Sequence, residues 1–246
     1  MNRRFLLKAA LGSLAGSGLG LRWAQSARAW SYIGSDGPDH WGELSPDYAA
    51  CATGRHQSPI DLGRVEPVPM DSLQFDYRPT PLTLVNTGHT VRIDYASGSR
   101  LILERQPFEL LQFHFHDPSE HTRSGQHQPM EIHFVHRNAP TQALVVLSVL
   151  VRAGQENPTL QKMWPYLPSQ INQPSTVMRE WVNAWDLLPD TATSVFRYSG
   201  SLTTPPCSET VTWLVLGEPV TASLAQISQF YRLIGENARP TQSRPT

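Results

Sequence analysis

The chain has 246 residues with a formal net charge of −1, and 39% of them are hydrophobic. That length can bury a full core as one domain. Its 20 basic residues face 21 acidic ones, and nothing basic and clustered remains beyond the first 29 residues, which argues against nucleic acid as a partner.

In chain order, Met1-Asn2 precedes "RRFLLK", then the weakly apolar "AALGSLAGSGLGL" and "ARA" at Ala27 to Ala29. A charged start, an apolar stretch and a small-x-small site predict a signal peptide cut after Ala29. The stretch is too short and too weakly apolar to cross about 30 Å of hydrocarbon, so it does not read as an anchor. Arg3-Arg4 before Leu6-Leu7-Lys8 also resembles a twin-arginine signal. Removing residues 1–29 takes five basic residues and no acidic one from a net charge of −1, leaving −6 over residues 30–246. The expected destination is the periplasm or the exterior, and no later segment reads as a membrane span. In that setting Cys51 and Cys207, the two cysteines, read as a disulfide, with two free thiols as the alternative.

Next come runs rich in β-branched and aromatic residues, which predict strands. "LTLVNTG" and "HTVRIDYA" flank a turn; "SRLILE", "LLQFHFH", "MEIHFVHR", "ALVVLSVLVR" and "VTWLVLG" follow. "ALVVLSVLV" is apolar on both faces and belongs at the centre of a sheet. Helices are expected only over Pro158 to Leu167, Val177 to Leu188 and Ser223 to Leu233. Scattered prolines, 21 of them, break longer helices. The expected fold is a single, mainly β domain with small peripheral helices.

Two of these strands carry chemistry. Alternate residues of a strand share a face, so Gln112, His114 and His116 point one way while Phe113 and Phe115 point the other. "MEIHFVH" repeats the pattern: Glu131, His133 and Val135 share a face, with Ile132 and Phe134 behind. A turn around Ser124-Gly125 would let the strands pair antiparallel and bring His133 beside His114 and His116. Three imidazoles with one open position are the arrangement of catalytic zinc. Gln112 and Glu131, each two residues before a histidine and on its face, suit the acceptors that hold such ligands from behind. A lone His-x-His is more often two polar residues on a solvated strand face; the second matching strand favours the metal reading. A rival pattern, His114-x-His116-x3-Glu120, resembles the cupin motif with Glu120 as a further ligand to iron or manganese. Phe108 and His127 stand where that motif needs glycines.

Taken together, "WSYIGSDGPDHW", "GRHQSPIDL", "NTGH", "QFHFHDPSEH", "MEIHFVH" and "SGSLTTPPCSETVTWLVL" resemble the α-class carbonic anhydrases, specifically the exported bacterial ones. The resemblance runs through residues 30–246. It implies a large, mostly antiparallel twisted sheet and the zinc-dependent, reversible hydration of carbon dioxide to bicarbonate and a proton. By the same resemblance, His114, His116 and His133 match the zinc ligands, and Thr203 matches the threonine that orients the attacking hydroxide. Glu120 matches the buried carboxylate that takes the threonine's proton. Thr204 matches a residue touching substrate or product, and Val135, Val146, Leu202 and Trp213 match the apolar wall that holds carbon dioxide. His89 matches a proton shuttle at the cavity mouth, and His121 a structural histidine. Cys51 and Cys207 match the disulfide of bacterial members, and the Ser58-Pro59 and Pro205-Pro206 bonds are expected to be cis. Thr87 and Arg92 depart from the asparagines of many animal members, which leaves the water network and inhibitor profile open. Two other readings stand beside the enzyme: a silent carbonic-anhydrase-like binding module and a non-enzymatic periplasmic zinc-binding protein.

Overall fold

The structure, a computed structural model, describes residues 29–70 and 73–243. The expected leader, apart from Ala29, lies outside the described residues. Strands in chain order are β1 Val68–Pro69, β2 Leu73–Asp76, β3 Thr80–Asn86, β4 Val91–Asp94, β5 Arg100–Leu103, β6 Gln106–His116 and β7 Thr122–Arg123. They continue as β8 Gln126–His127, β9 Met130–Arg137, β10 Leu144–Ala153, β11 Ser175–Val182, β12 Ser194–Gly200, β13 Val211–Leu216 and β14 Val220–Ala222. The α-helices are α1 Trp41–Leu44, α2 Ala50–Thr53, α3 Pro158–Met163 and α4 Leu224–Ile234.

Among the described residues, 12 strands form one sheet whose main path runs β1-β12-β13-β10-β9-β6-β4-β3-β11. β14 adds to β10, and the β2–β5 pair adds to β6. Pairing is antiparallel except where β10 meets β13 and β14. β10 is central, as its two-faced apolar pattern demands: Val145 to Val151 are buried without a break. The larger core cluster lies behind β6 and β9, where Phe113, Phe115, Ile132 and Phe134 are fully buried. Phe113 packs on Phe134 and Phe115 with ring centroids 5.4 and 5.9 Å apart. Phe115 in turn meets Trp164 and Phe230 of the helical side.

The peripheral segments follow local chemistry. Ser223 caps α4 in a reciprocal capping box with Gln226, and Asn157 caps α3 just before Pro158. The helix expected over Val177 to Leu188 does not form. Residues Ser175–Val182 are instead edge strand β11, followed by a 3-10 turn at Ala184–Leu187. Along this segment Val182, Ala184 and Leu187 are buried while Met178, Trp181 and Trp185 are exposed. The open edge of β3 takes this segment as a partner, with an irregularity between Val177 and Trp181. Ser194–Gly200, which carries no strong alternation, is β12. Ser58-Pro59 and Pro205-Pro206 are cis as expected, and Asp117-Pro118 is cis as well.

Candidate metal centre and active site

β6 and β9 pair antiparallel with His114 opposite His133 and His116 opposite Glu131. The register of β6 slips by one residue between Leu110 and Gln112. This bulge reverses the strand's phase, so Leu110 and Phe113 both enter the core cluster although they are three positions apart. Gln112, His114 and His116 are thereby kept on the opposite face. The Ser124-Gly125 turn closes the small β7–β8 hairpin inserted between the two strands.

One nitrogen from each of His114, His116 and His133 lies within 4.8 Å of the others. The second nitrogen of each ring has a partner. His114 Nδ1 meets Gln112 Oε1 at 2.9 Å, His116 Nδ1 meets the Asn237 carbonyl at 2.7 Å, and His133 Nε2 meets Glu131 Oε1 at 2.8 Å. His116 Nε2 is buried with no hydrogen-bond partner. Burial lowers the pKa of His114 well below the ordinary value, with the His116 and His133 rings and Arg92 adding to the effect. Burial likewise lowers His133 and takes His116 to about 4. Neutral rings offer lone pairs, the form in which imidazole binds a metal.

A second polar layer supports the first. Glu131 Oε1 accepts from His133, from His121 Nδ1 at 2.6 Å and from the Ser148 hydroxyl, while Oε2 accepts from the His121 backbone at 2.8 Å. Burial alone would raise this carboxyl, but the His121 and His133 rings outweigh it and hold Glu131 well below the usual carboxylate range. The partners arrive in register: His133 lies opposite both His114 and Ser148, so three strands deliver the row. His121 sits behind the cluster and hydrogen-bonds Tyr198 at 2.7 Å.

Glu120 is fully buried, and burial raises it to about 7 against lowering by His133, the Arg239 backbone N–H and the Thr203 hydroxyl. Its Oε1 accepts from Arg239 N at 2.9 Å. Oε2 has no partner of full hydrogen-bond geometry and lies 3.6 Å from His116 Nε2 and 3.8 Å from His133 Nδ1. Thr203 is buried beside it, and Thr204 is partly exposed. The disulfide between Cys51 and Cys207 is formed. It anchors the loop of Thr203 and Thr204, because Cys207 N donates to the Thr204 carbonyl at 2.9 Å.

The apolar group assembles across the sheet. Val146 of β10 lies opposite Val135 of β9 and Trp213 of β13, on the face of His133. Leu202 packs against the same cluster. The Trp213 ring lies 4.9 Å from the His133 ring, and its Nε1–H donates to the Ser201 carbonyl. His89 stands in the turn between β3 and β4, where Gly88 has φ +82°, a conformation that suits glycine. Its ring is half-buried and stacked on Trp30 at 3.8 Å, and burial lowers its pKa.

Several of these partners have no sequence signal. Asn237 and Arg239 follow α4 in a segment without regular structure, yet they hold His116 and Glu120. Arg239 is 1% exposed, and its guanidinium binds Gln57 Oε1 and the carbonyls of Ser58 and Cys51. A buried arginine is rare enough to signal a structural role, but only the folded chain shows it. A surface cleft of about 750 Å³, lined by Lys162, Trp181, Asp186 and Glu218 among others, shares no residue with the histidine cluster.

The family profile described as eukaryotic-type carbonic anhydrase matches residues 36–245. The chain belongs to that family. It is 45% identical over 249 residues to the carbonic anhydrase of Nostoc sp., covering 98% of this chain and 94% of the relative. It is 44% identical over 214 residues to that of Pectobacterium atrosepticum, covering 87% and 86% of the two chains. The α-carbonic anhydrase of Thermovibrio ammonificans, solved with the inhibitor sulfanilamide, superposes with a TM-score of 0.84 at 40% identity, covering 89% of this chain and 96% of that one. Carbonic anhydrases hydrate carbon dioxide, so this enzyme acts on a small molecule. The cupin alternative falls, because the carbonic anhydrase sheet replaces the cupin barrel.

Proposed function

We propose that this carbonic anhydrase is zinc-dependent and that His114, His116 and His133 are the ligands. The observation that carries the reading is three convergent neutral imidazoles, each held from behind by an acceptor, with the buried His116 Nε2 left without a partner. Three nitrogen donors with an open fourth position suit zinc. Zinc held there supplies a Lewis acid that makes hydroxide available near pH 7, an effect whose reference case is carbonic anhydrase itself.

The chain's own residues do the rest. Glu120, raised by burial, would be ionised beside a bound cation and accept a hydrogen bond from the Thr203 hydroxyl. Thr203 must then use its oxygen lone pair to accept from the attacking hydroxide, which fixes that nucleophile's direction. Val135, Val146, Leu202 and Trp213 hold carbon dioxide, which has no charge and no donor for a polar wall to bind. Thr204 contacts the bicarbonate formed. His89 takes the proton towards buffer. An acid of pKa about 7, with reprotonation limited to about 10^10 M⁻¹s⁻¹, releases protons to water only about 10^3 times per second. Carbonic anhydrase itself is known to reach about 10^6 s⁻¹, so a relay is needed.

Export to the periplasm or exterior completes the proposal. The Cys51–Cys207 disulfide supports it, since such bonds persist in oxidising compartments. The deciding experiment is stopped-flow carbon dioxide hydration together with zinc analysis on wild type and on His114→Ala, His116→Ala and His133→Ala. One zinc per chain in wild type, lost with the hydration rate in each variant, is the expected result. Full activity in any of the three removes that residue from the ligand set.

A further inference from the structure

Arg92, one of the two departures from the animal pattern, sits across the sheet from a proposed ligand. It is the Cα partner of His114 across β4 and β6, so its side chain leaves the sheet on the face of the histidines. Asp94, two residues on and on the same face, clamps it from one side: Nε donates to Oδ1 at 2.6 Å and Nη2 to Oδ2 at 3.3 Å. The clamp fixes the guanidinium plane and leaves its Nη1 edge without a partner among the described residues. Both side chains are about two-fifths exposed, 39% for Arg92 and 40% for Asp94, so the pair borders solvent. Asp94 itself lies opposite Gln112, which holds His114. The ion pair therefore stands directly beside the proposed ligand row.

The two sides of the reaction differ in charge: carbon dioxide is neutral and bicarbonate is an anion. A planar guanidinium with a free N–H edge binds an oxyanion and offers a neutral, apolar molecule nothing. We propose that Arg92 is a bicarbonate-recognition residue on the histidine face of the sheet, holding the anion on its way to or from the histidine cluster, with Asp94 orienting it and partly offsetting its charge. This rests on the carbon dioxide–bicarbonate reading above. Arg92 touches the substrate of one direction only, which makes it a determinant of anion affinity.

The test measures bicarbonate affinity by calorimetric titration of a pre-equilibrated bicarbonate solution into the zinc-loaded protein, alongside inhibition of hydration by nitrate. Arg92→Gln should weaken both by about five-fold, and Arg92→Lys, which keeps the charge but not the fork, by less. Asp94→Asn removes the opposing charge while its amide oxygen can still accept from Nε, and should tighten both. Opposite signs at neighbouring positions are the signature of anion recognition; a structural role would move both the same way. Arg92→Gln within two-fold of wild type, or Asp94→Asn weakening the anions, overturns the proposal. Wild type that holds zinc but hydrates no carbon dioxide would overturn the function instead, and the bicarbonate measurement would still decide the role of Arg92.

Discussion

At the scale of single residues, the proposed site divides its work between groups that would hold the metal and groups that would orient the nucleophile. Each ring of the histidine cluster meets an acceptor of different chemistry: His114 the Gln112 amide oxygen, His116 the Asn237 carbonyl and His133 the Glu131 carboxylate. Thr203 and Glu120 stand apart from that task. Thr203→Ala should keep one zinc per chain while hydration falls by about 10²-fold, the usual loss for an orienting group. Glu120→Gln should keep zinc as well; metal analysis showing its loss would turn Glu120 into a ligand. His89 has a separate assay. Its ring stacks on Trp30, half-buried, with its pKa lowered by burial, so it is neutral and ready to accept a proton at neutral pH. His89→Ala should turn over more than ten-fold slower in dilute buffer and recover when imidazole is added, with zinc unchanged. Equal rates in dilute buffer would make His89 idle.

At the scale of elements, the histidine-bearing strands β6 and β9 are held by what lies behind them. Phe113, Phe115 and Phe134 point away from the histidines and are fully buried. Removing one leaves a cavity under the strand that carries His114. Phe113→Ala should cost about 3–5 kcal/mol in denaturant unfolding and loosen zinc, because the histidine row no longer sits on a packed base. A loss below about 1 kcal/mol would mean that the core refills the space. The β6 bulge belongs to the same account. It lets Leu110 join Phe113 in the core while Gln112 stays on the site face.

At the scale of the whole molecule, segments far apart in sequence meet at the site. The Cys51–Cys207 bridge spans 156 residues and ties α2 to the loop of Thr203. Closing so long a loop stabilises by about 5 kcal/mol in the chain-entropy model, less any strain. The double variant Cys51→Ser, Cys207→Ser should melt many degrees lower and lose hydration before it loses secondary structure. Unchanged melting would show that the loop is held without it. The C-terminal segment acts from the other side. Arg239 fills the space between Trp41 and Ser58, and Asn237 spans His116, Phe115 and His89 through its carbonyl and side-chain amide.

How much of this was legible in the chain depends on the range of the interaction. His114, His116, His133 and the acceptors Gln112 and Glu131 were readable because a strand's two-residue period places them without knowledge of the rest. The central position of β10 was readable for the same reason, from an apolar run with no polar face. The segment 177–188 forms an edge strand and turn in place of the expected helix because the open side of β3 supplies its backbone partners. Asn237, Arg239 and Trp30 were invisible because they reach the site across 121, 119 and roughly 59 positions of chain, through contacts that no local pattern encodes. Local periodicity thus determined which residues share a face and which chemistry they offer. Tertiary packing alone decided what stands behind each of them, since a hydrogen bond to a distant carbonyl exists only once the chain has closed.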